Sequence, residues 1–136
     1  MTKQEHIAYW LATAAHDYDS AQACLEHGEY LGCMHISHIM LEKALKANWV
    51  RESNWVVPKL YNLCRIAQGL NLNLSEEHKR LLADLAIFDL ENPEIDYECK
   101  AMKLCTKEFT HDQFNKVKEL YYFLISPRHS EPERSL

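Results

Sequence analysis

The sequence predicts an all-α protein, an antiparallel up-and-down bundle of four main helices plus one short helix. Its apolar residues recur at alternating spacings of four and three, which places them on one face of a helix. The periodic segments show no strand pattern and no internal repeat. Glycines and prolines are few, three and four respectively, and most of them mark a break between periodic segments. The apolar stripe of the first segment comprises Ile7, Leu11, Ala14, Tyr18, Ala21 and Leu25.

The first two helices are predicted to form a long hairpin. The first runs from about Lys3 to His27, and Gly28 supplies the left-handed residue that ends it. The second runs from near Tyr30 to about Glu52. At about 1.5 Å per residue each helix spans on the order of 35 Å. Because only a short turn joins them, the two helices must be antiparallel neighbours.

A short third helix and a longer fourth helix follow. The third is predicted over Pro58–Gln68, with Pro58 as its first residue and Gly69 at its end. Ser75 is a good N-cap for the fourth, which runs to about Phe88 and is stopped by the proline-containing segment 91–94.

The last helix is predicted from His111 to about Ser126, because Thr110-x-x-Gln113 matches a capping box. Residues 97–106, before it, are predicted as a loop with at most one helical turn. The polar segment 127–136 contains two prolines and is predicted to be a disordered tail. One domain over residues 1–126 is therefore expected.

Composition restricts the class of protein. The net charge is −5, which argues against a broad electrostatic surface for nucleic acid. The five cysteines form no C-x-x-C pair, which is typical of a reduced intracellular protein without disulfides. No segment approaches eighteen apolar residues, and the first ten residues lack the apolar stretch of a signal peptide. We therefore expect a soluble, cytoplasmic protein that does not enter a membrane.

Glu42, Lys43, Lys46 and Arg51 are the candidate ligand-binding residues. They follow an apolar run in the second helix, and Glu42 and Lys46 are four residues apart in the order that favours an ion pair. One interpretation is a surface ion pair of little energetic value. The other is that Lys43, Lys46 and Arg51 receive a phosphate, with help from Lys59 and Arg65. The alternative interpretation is that these basic residues lie in solvent at the end of the helix and complement the helix dipole.

His35 and His38 are the weak candidates for a metal site. With Glu42 they lie at i, i+3 and i+7 on one side of the second helix, and His16 and Asp17 of the first helix are placed to face them. The favoured alternative is a buried histidine satisfied by a hydrogen bond. We therefore predict no metal and no cofactor.

The order of several features resembles the HEPN domain family. The resemblance covers most of the chain, and its centre is the Glu-Lys-x-Leu-Lys-Ala run at residues 42–47. The other matching features are Trp10, Asp17 and Ala21 in the first helix, the turn with Gly28 and Tyr30, and the Pro58-x-Leu60-x-x-Leu63 segment. The resemblance implies an up-and-down helical bundle. It also implies a homodimer, and a minimal nucleotidyltransferase as a protein partner.

Some members of this family are ribonucleases of toxin–antitoxin or defence systems, and these carry an arginine followed four to six residues later by a histidine. None of the arginines here, Arg51, Arg65, Arg80, Arg128 and Arg134, is followed by histidine at that distance. Where many relatives carry Arg-Tyr-Pro, this chain reads Glu91-Asn92-Pro93. The sequence thus predicts a non-catalytic dimeric binding module that pairs with a nucleotidyltransferase or binds a nucleotide. The alternative is a ribonuclease that uses other residues.

The tryptophans bear on partners. Trp10 is predicted to pack in the core. Trp49 and Trp55 flank the loop after the second helix, together with Val56 and Val57. An apolar cluster in a loop suggests an interface with another protein, and its alternative is the end of the protein's own core.

Overall fold

The computed structural model describes residues 2–52, 62–89, 92 and 100–126, and the statements below concern these residues. All regular structure among them is helical. The helices are α1 (Lys3–Glu26), α2 (Tyr30–Glu52), α3 (Leu63–Gln68), α4 (Glu76–Asp84) with a 3₁₀ turn directly after it (Leu85–Phe88), α5 (Met102–Leu104) and α6 (Lys107–Ile125).

Contacts between the helices establish the up-and-down order. The α1–α2 hairpin is antiparallel, as predicted. The 3₁₀ turn after α4 reaches the first half of α2, where His35 Nδ1 lies 3.1 Å from the Phe88 carbonyl oxygen. His78, near the start of α4, packs against Phe123, near the end of α6, at 5.5 Å between ring centroids. Consequently α4 is antiparallel to both α2 and α6. The predicted antiparallel bundle of four main helices is confirmed.

The second helix is the centre of the bundle. Eleven of its 23 residues are buried, and it packs on α1, α3, α6 and the 3₁₀ turn. Asn48 is fully buried, and its Nδ2 donates to the carbonyl oxygens of Ala44 at 2.9 Å and Leu124 at 3.0 Å. This amide therefore ties the end of α2 to the end of α6. These two helices run in the same direction.

The predicted ends of the hairpin are confirmed. Thr2 caps α1, and Glu5 completes a capping box by accepting from the Thr2 backbone amide at 2.8 Å. Gly28 has a φ of 75°, the left-handed conformation that glycine adopts without steric cost. The Ser75 hydroxyl accepts from the His78 amide and caps α4, again as predicted.

Two predicted helix starts are wrong. The third helix begins at Leu63, because Asn62 is extended and its side chain accepts from the Arg65 amide as an N-cap. Pro58, the predicted first residue, lies outside the described residues.

The last helix begins at Lys107, one turn earlier than predicted. Its N-cap is Thr106, whose hydroxyl accepts from the Phe109 amide at 3.1 Å. Thr110 and Gln113 are buried within the helix, and the Thr110 hydroxyl donates to the Thr106 carbonyl oxygen. The capping-box spacing at Thr110 therefore arose by chance, since a threonine four residues earlier takes the cap.

Residues 102–104 form the single helical turn expected between α4 and α6. The proposed disordered tail over 127–136 and the loop cluster of Trp55, Val56 and Val57 lie outside the described residues. Among the helices that the structure describes, none combines the length and the apolar character needed to cross a bilayer.

Candidate functional site

Two ion pairs lie where α1 packs on α2, and we call their four residues the charge cluster: Asp17, Glu42, Lys43 and Lys46. Lys43 Nζ lies 2.8 Å from Asp17 Oδ2, which joins the two helices. Lys46 Nζ lies 2.6 Å from Glu42 Oε2 within α2. The side chains of Glu42 and Lys46 are only 16% and 12% exposed, so this is not the fully solvated surface pair of the simplest interpretation.

Trp10 extends the charge cluster along α1. The Nζ of Lys46 lies 5.5 Å from the centroid of the Trp10 ring, a favourable cation–π distance. His6 and Tyr9 pack against the same ring, at 5.9 and 5.4 Å between centroids. Trp10 is half-buried beside Lys46, which differs from the predicted position within the apolar core. Its Nε1 is buried without an acceptor among the described residues.

The local sequence explains this arrangement. Residues three and four apart share one side of a helix, so Glu42, Lys43 and Lys46 project together from α2. Asp17 and Trp10 lie two turns apart on α1 and meet Lys43 and Lys46 respectively because the hairpin is antiparallel. The sequence identified all of these residues, but the pairing of Asp17 with Lys43 depends on the register between two helices, which spacing within one helix does not specify.

The charges within the cluster balance. Each lysine has a carboxylate partner, so the cluster has no net charge at neutral pH. A phosphate that binds here must replace Asp17 or Glu42 as the partner of a lysine. As it stands, the Lys43–Asp17 pair holds α1 against α2, and the Lys46 ammonium lies close to the Trp10 indole ring.

The remaining basic candidates do not join the cluster. Arg51 lies in the last turn of α2, and among the described residues it pairs with neither carboxylate of the cluster. Its Nη1 is buried without a hydrogen-bond acceptor in the same part of the chain. Arg65 is exposed on α3, and Lys59 lies outside the described residues.

The histidine candidates have structural contacts instead. His35 Nδ1 donates to the Phe88 carbonyl oxygen, which anchors the 3₁₀ turn to α2. His38 is 2% exposed and lies within the bundle. Asp17, which was expected to face these histidines, forms an ion pair with Lys43, and His16 is exposed. In the ranges that the structure describes, no three His, Cys, Asp or Glu side chains are grouped to hold a metal ion.

Burial makes the described thiols poor nucleophiles. It raises the pKa of Cys33 to about 12 and the pKa of Cys105 to about 11. The pKa values of Cys24 and Cys64 are raised as well, with burial as the main cause. Since the thiolate is the reactive form, nothing in this part of the chain activates a cysteine.

A tyrosine cluster on α1 and α6 was not predicted from the sequence. The hydroxyls of Tyr18 and Tyr122 lie 3.3 Å apart, and the rings of Tyr18 and Tyr121 lie 5.3 Å apart. Burial and the Tyr122 hydroxyl raise the pKa of Tyr18 to about 12. Helical periodicity placed Tyr18 and Tyr121 on inward faces but gave no sign that they meet.

Comparison with known proteins bears on the whole bundle. The family profile of the HEPN domain matches residues 7–126, from the first turns of α1 to the residue after α6. The chain belongs to the HEPN domain family. No curated protein and no solved structure shows a significant match to it. In this HEPN domain, the charge cluster thus lies between the first two helices of the matched range.

Proposed function

We propose that this HEPN domain is a non-catalytic interaction module that acts as a homodimer and pairs with a minimal nucleotidyltransferase. Membership of the family is compatible with a binding module and with a ribonuclease, so the choice rests on the residues of this chain. The observation that carries the proposal is that both lysines of the family motif are engaged by carboxylates, at 2.8 and 2.6 Å. Lys43 therefore holds α1 to α2, and a ligand of either lysine must displace a carboxylate.

Ribonuclease chemistry makes different demands. A positioned acid or base is worth about 10²–10⁴ in rate, and a cation must stabilise the charge that develops on the phosphate. The sequence contains no arginine followed by histidine at the family's catalytic spacing. His35, a candidate base, uses Nδ1 to bond a backbone carbonyl. The purified protein is therefore expected to leave single-stranded RNA intact in metal-free buffer.

The RNA experiment distinguishes the two functions. The substrate is a fluorescent single-stranded RNA, and the variants are His35→Ala and His38→Ala. Cleavage that either substitution abolishes would establish the ribonuclease and move its active site to α2. Intact RNA over many hours supports the non-catalytic module. Cleavage that survives both substitutions must be traced by repeating the assay on protein purified by a second route.

The distribution of exposed residues supports a dimer that uses α1. In α2 only Glu52 is exposed and the other residues are buried or half-buried, so this helix has little surface left for a partner. The outer face of α1 exposes Ala8, Ala12 and Ala15 beside Tyr9, which is 51% exposed. Small side chains allow close approach of a second helix, and Tyr9 adds apolar area.

Light scattering tests the dimer at micromolar concentration. A dimer has twice the 16.0 kDa mass of the chain, and a mass of 16.0 kDa would reject the dimer. Replacing an exposed alanine with a large charged residue, as in Ala12→Glu, is expected to shift the mass to that of the monomer. The matched control is Ala83→Glu on α4, another exposed alanine that lies away from α1.

A nucleotide is the ligand we propose for the charge cluster. Its phosphate would compete with Asp17 and Glu42 for the two lysines, and Arg51 would contribute from the end of α2. Calorimetric titration with ATP is expected to give binding that Lys43→Met or Lys46→Met weakens at least tenfold. Lys116→Met, a change at a more exposed lysine paired with Asp112, is the control. Equal ATP affinity in the wild type and the three lysine variants would contradict nucleotide binding at the charge cluster.

The nucleotidyltransferase partner is tested separately. A gene for a minimal nucleotidyltransferase beside the gene for this chain would supply the candidate protein. Co-expression and size-exclusion chromatography are then expected to give a stable complex. Two proteins that elute separately at micromolar concentration would contradict this pairing without affecting the dimer.

A further inference from the structure

A cleft of about 320 Å³ lies between α3, α4 and the segment that joins them. Its walls are mostly apolar and include Ala67, Leu70, Leu72, Leu74 and Leu82. The remaining lining residues are Cys64, Gln68 and Lys79. Small-molecule sites in proteins have volumes of about 300–1,000 Å³, apolar walls and a few polar groups, so this cleft has the dimensions and the lining of a small site.

The joining segment has the right sequence to form an apolar wall. Residues 70–74 read Leu-Asn-Leu-Asn-Leu, and side chains of an extended segment alternate between its two sides. The three leucines are buried or half-buried, and both asparagines are exposed. The backbone amide of Asn71 donates to Glu52 Oε1 at 3.1 Å, which fixes the segment to the end of α2. The leucine side of the segment therefore faces α3 and α4.

We propose that the cleft binds a small alkyl carboxylate, with the alkyl chain among the leucines and the carboxylate on Lys79. Lys79 is the only charged residue among the described lining residues, so an anionic group gives the ligand charge complementarity. Its partner Glu76 is 93% exposed and lies at 3.3 Å. Such a solvated pair is weak, so a ligand carboxylate can replace Glu76.

The volume sets the size of the ligand. A volume of about 30 Å³ for each non-hydrogen atom, the share of a water molecule in the liquid, allows about ten such atoms in the cleft. Octanoate has this size. Each methylene that enters an apolar site is expected to tighten binding by about fourfold. Affinity should therefore rise from butanoate through hexanoate to octanoate and then level off at dodecanoate.

Calorimetric titration of these four carboxylates tests the apolar part of the proposal. Affinity that rises with chain length and then levels off supports a cleft of limited size. Affinity that does not change with chain length would overturn the proposal. Affinity that keeps rising through dodecanoate would also overturn it, because it indicates an open surface in place of a cleft.

Variants of lysine test the anionic part. Lys79→Met keeps a stem of similar length, removes the charge, and is expected to weaken octanoate binding about two- to fivefold without changing the affinity for octanol. Lys116→Met removes another exposed lysine, outside the cleft, and is expected to bind octanoate like wild type. Octanoate affinity in Lys79→Met equal to that of wild type would contradict the role of Lys79.

Cys64 reports on the location of the ligand. Its thiol lines the cleft and is half-buried, whereas Cys24 and Cys105 belong to other parts of the bundle. Iodoacetamide labelling at mildly alkaline pH, read by peptide mass spectrometry, is expected to slow several-fold at Cys64 when octanoate is saturating. The labelling rates of Cys24 and Cys105 are expected to stay unchanged. Equal rates at Cys64 with and without octanoate would place any binding elsewhere and overturn the proposal.

Discussion

The roles of several residues in this bundle depend on their partners and do not follow from residue type alone. Glu42 and Lys46 were predictable as a pair, because their spacing within one helix is enough to bring them together. The partner of Lys43 was not predictable, since Asp17 belongs to another helix and the register between helices depends on the whole α1–α2 interface. The same holds for Trp10, whose ring lies beside Lys46 across that interface.

The Glu42→Ala substitution is expected to destabilise the protein by about 1–3 kcal/mol. This lies between the effect of breaking an exposed pair and a fully buried one, because Lys46 is 12% exposed and would lose its carboxylate partner. Urea unfolding followed by circular dichroism measures the change. Glu76→Ala removes the partner of Lys79 in an exposed pair and should change stability by less than about 0.5 kcal/mol. Equal effects of the two substitutions would show that the Glu42 pair is only a surface contact.

Gly69 has an ordinary right-handed conformation, so its backbone does not require glycine. A side chain is excluded there by lack of space. A Cβ atom added there would overlap the six-membered ring of Trp49, which packs directly over the end of α3. Gly69→Ala is therefore expected to cost about 1–3 kcal/mol through displacement of the ring.

Gly32 provides the matched comparison for Gly69. A Cβ atom added there would meet Cys24 Sγ at 3.4 Å, at the edge of normal contact, and Glu29 Cβ at 4.0 Å, and Gly32 lies within a helix. Gly32→Ala is expected to stabilise the protein by up to about 1 kcal/mol. Thermal unfolding of both variants checks the opposite signs. Two variants with melting temperatures shifted in the same direction would contradict this account.

At the scale of the elements, periodicity was a better guide than capping motifs. The long α1–α2 hairpin followed from its apolar stripe and Gly28, and both helices end within one residue of the predicted positions. The start of α6 was misplaced because two threonines, Thr106 and Thr110, precede the periodic segment. Thr106 is exposed and takes the cap, while Thr110 is buried against the core. Burial of a helix face, which follows from tertiary packing, decided between them.

Thr106→Ala is expected to destabilise the protein by about 1 kcal/mol, because it removes the acceptor for the Phe109 amide. Hydrogen exchange gives a local reading. The Phe109 amide should exchange faster in the variant, while amides in the middle of α6 should change only as far as global stability changes. Unchanged exchange at Phe109 would contradict the assignment of Thr106 as the cap.

At the scale of the whole molecule, the described residues fold as the HEPN bundle that the sequence resembled, with α2 at its centre. The class, the number of main helices and their directions were all predictable, because long periodic segments joined by short turns leave few arrangements. The ligand and the partner were not, because they depend on surfaces that periodicity does not describe. The cleft beside α4 belongs to this second group, since helical periodicity does not describe the segment that joins α3 to α4.

Alkaline pH is expected to destabilise the whole fold. Burial raises the pKa of Cys33 from 9.0 to about 12, so the folded state holds this proton more tightly than the unfolded state. The resulting stabilisation is fully present below pH 9 and is lost as the pH rises from 9 towards 12. Tyr18 acts in the same direction between pH 10 and about 12. Urea unfolding at a series of pH values should show this decline, and a smaller decline in Cys33→Ala. An identical pH dependence in that variant would exclude Cys33 as a source.

The bond between Asn48 and the carbonyl of Leu124 has a consequence for biosynthesis. The Asn48 side chain can make this bond only after α6 has been synthesised. Translation from Glu52 to Ile125 takes on the order of 4–15 s at about 5–20 residues per second. During that interval α2 is covered by α1 and then by α3 and the 3₁₀ turn, while the side of α2 that packs against α6 stays exposed. A premature stop before α6 would therefore leave that side of α2, where Asn48 lies, uncovered.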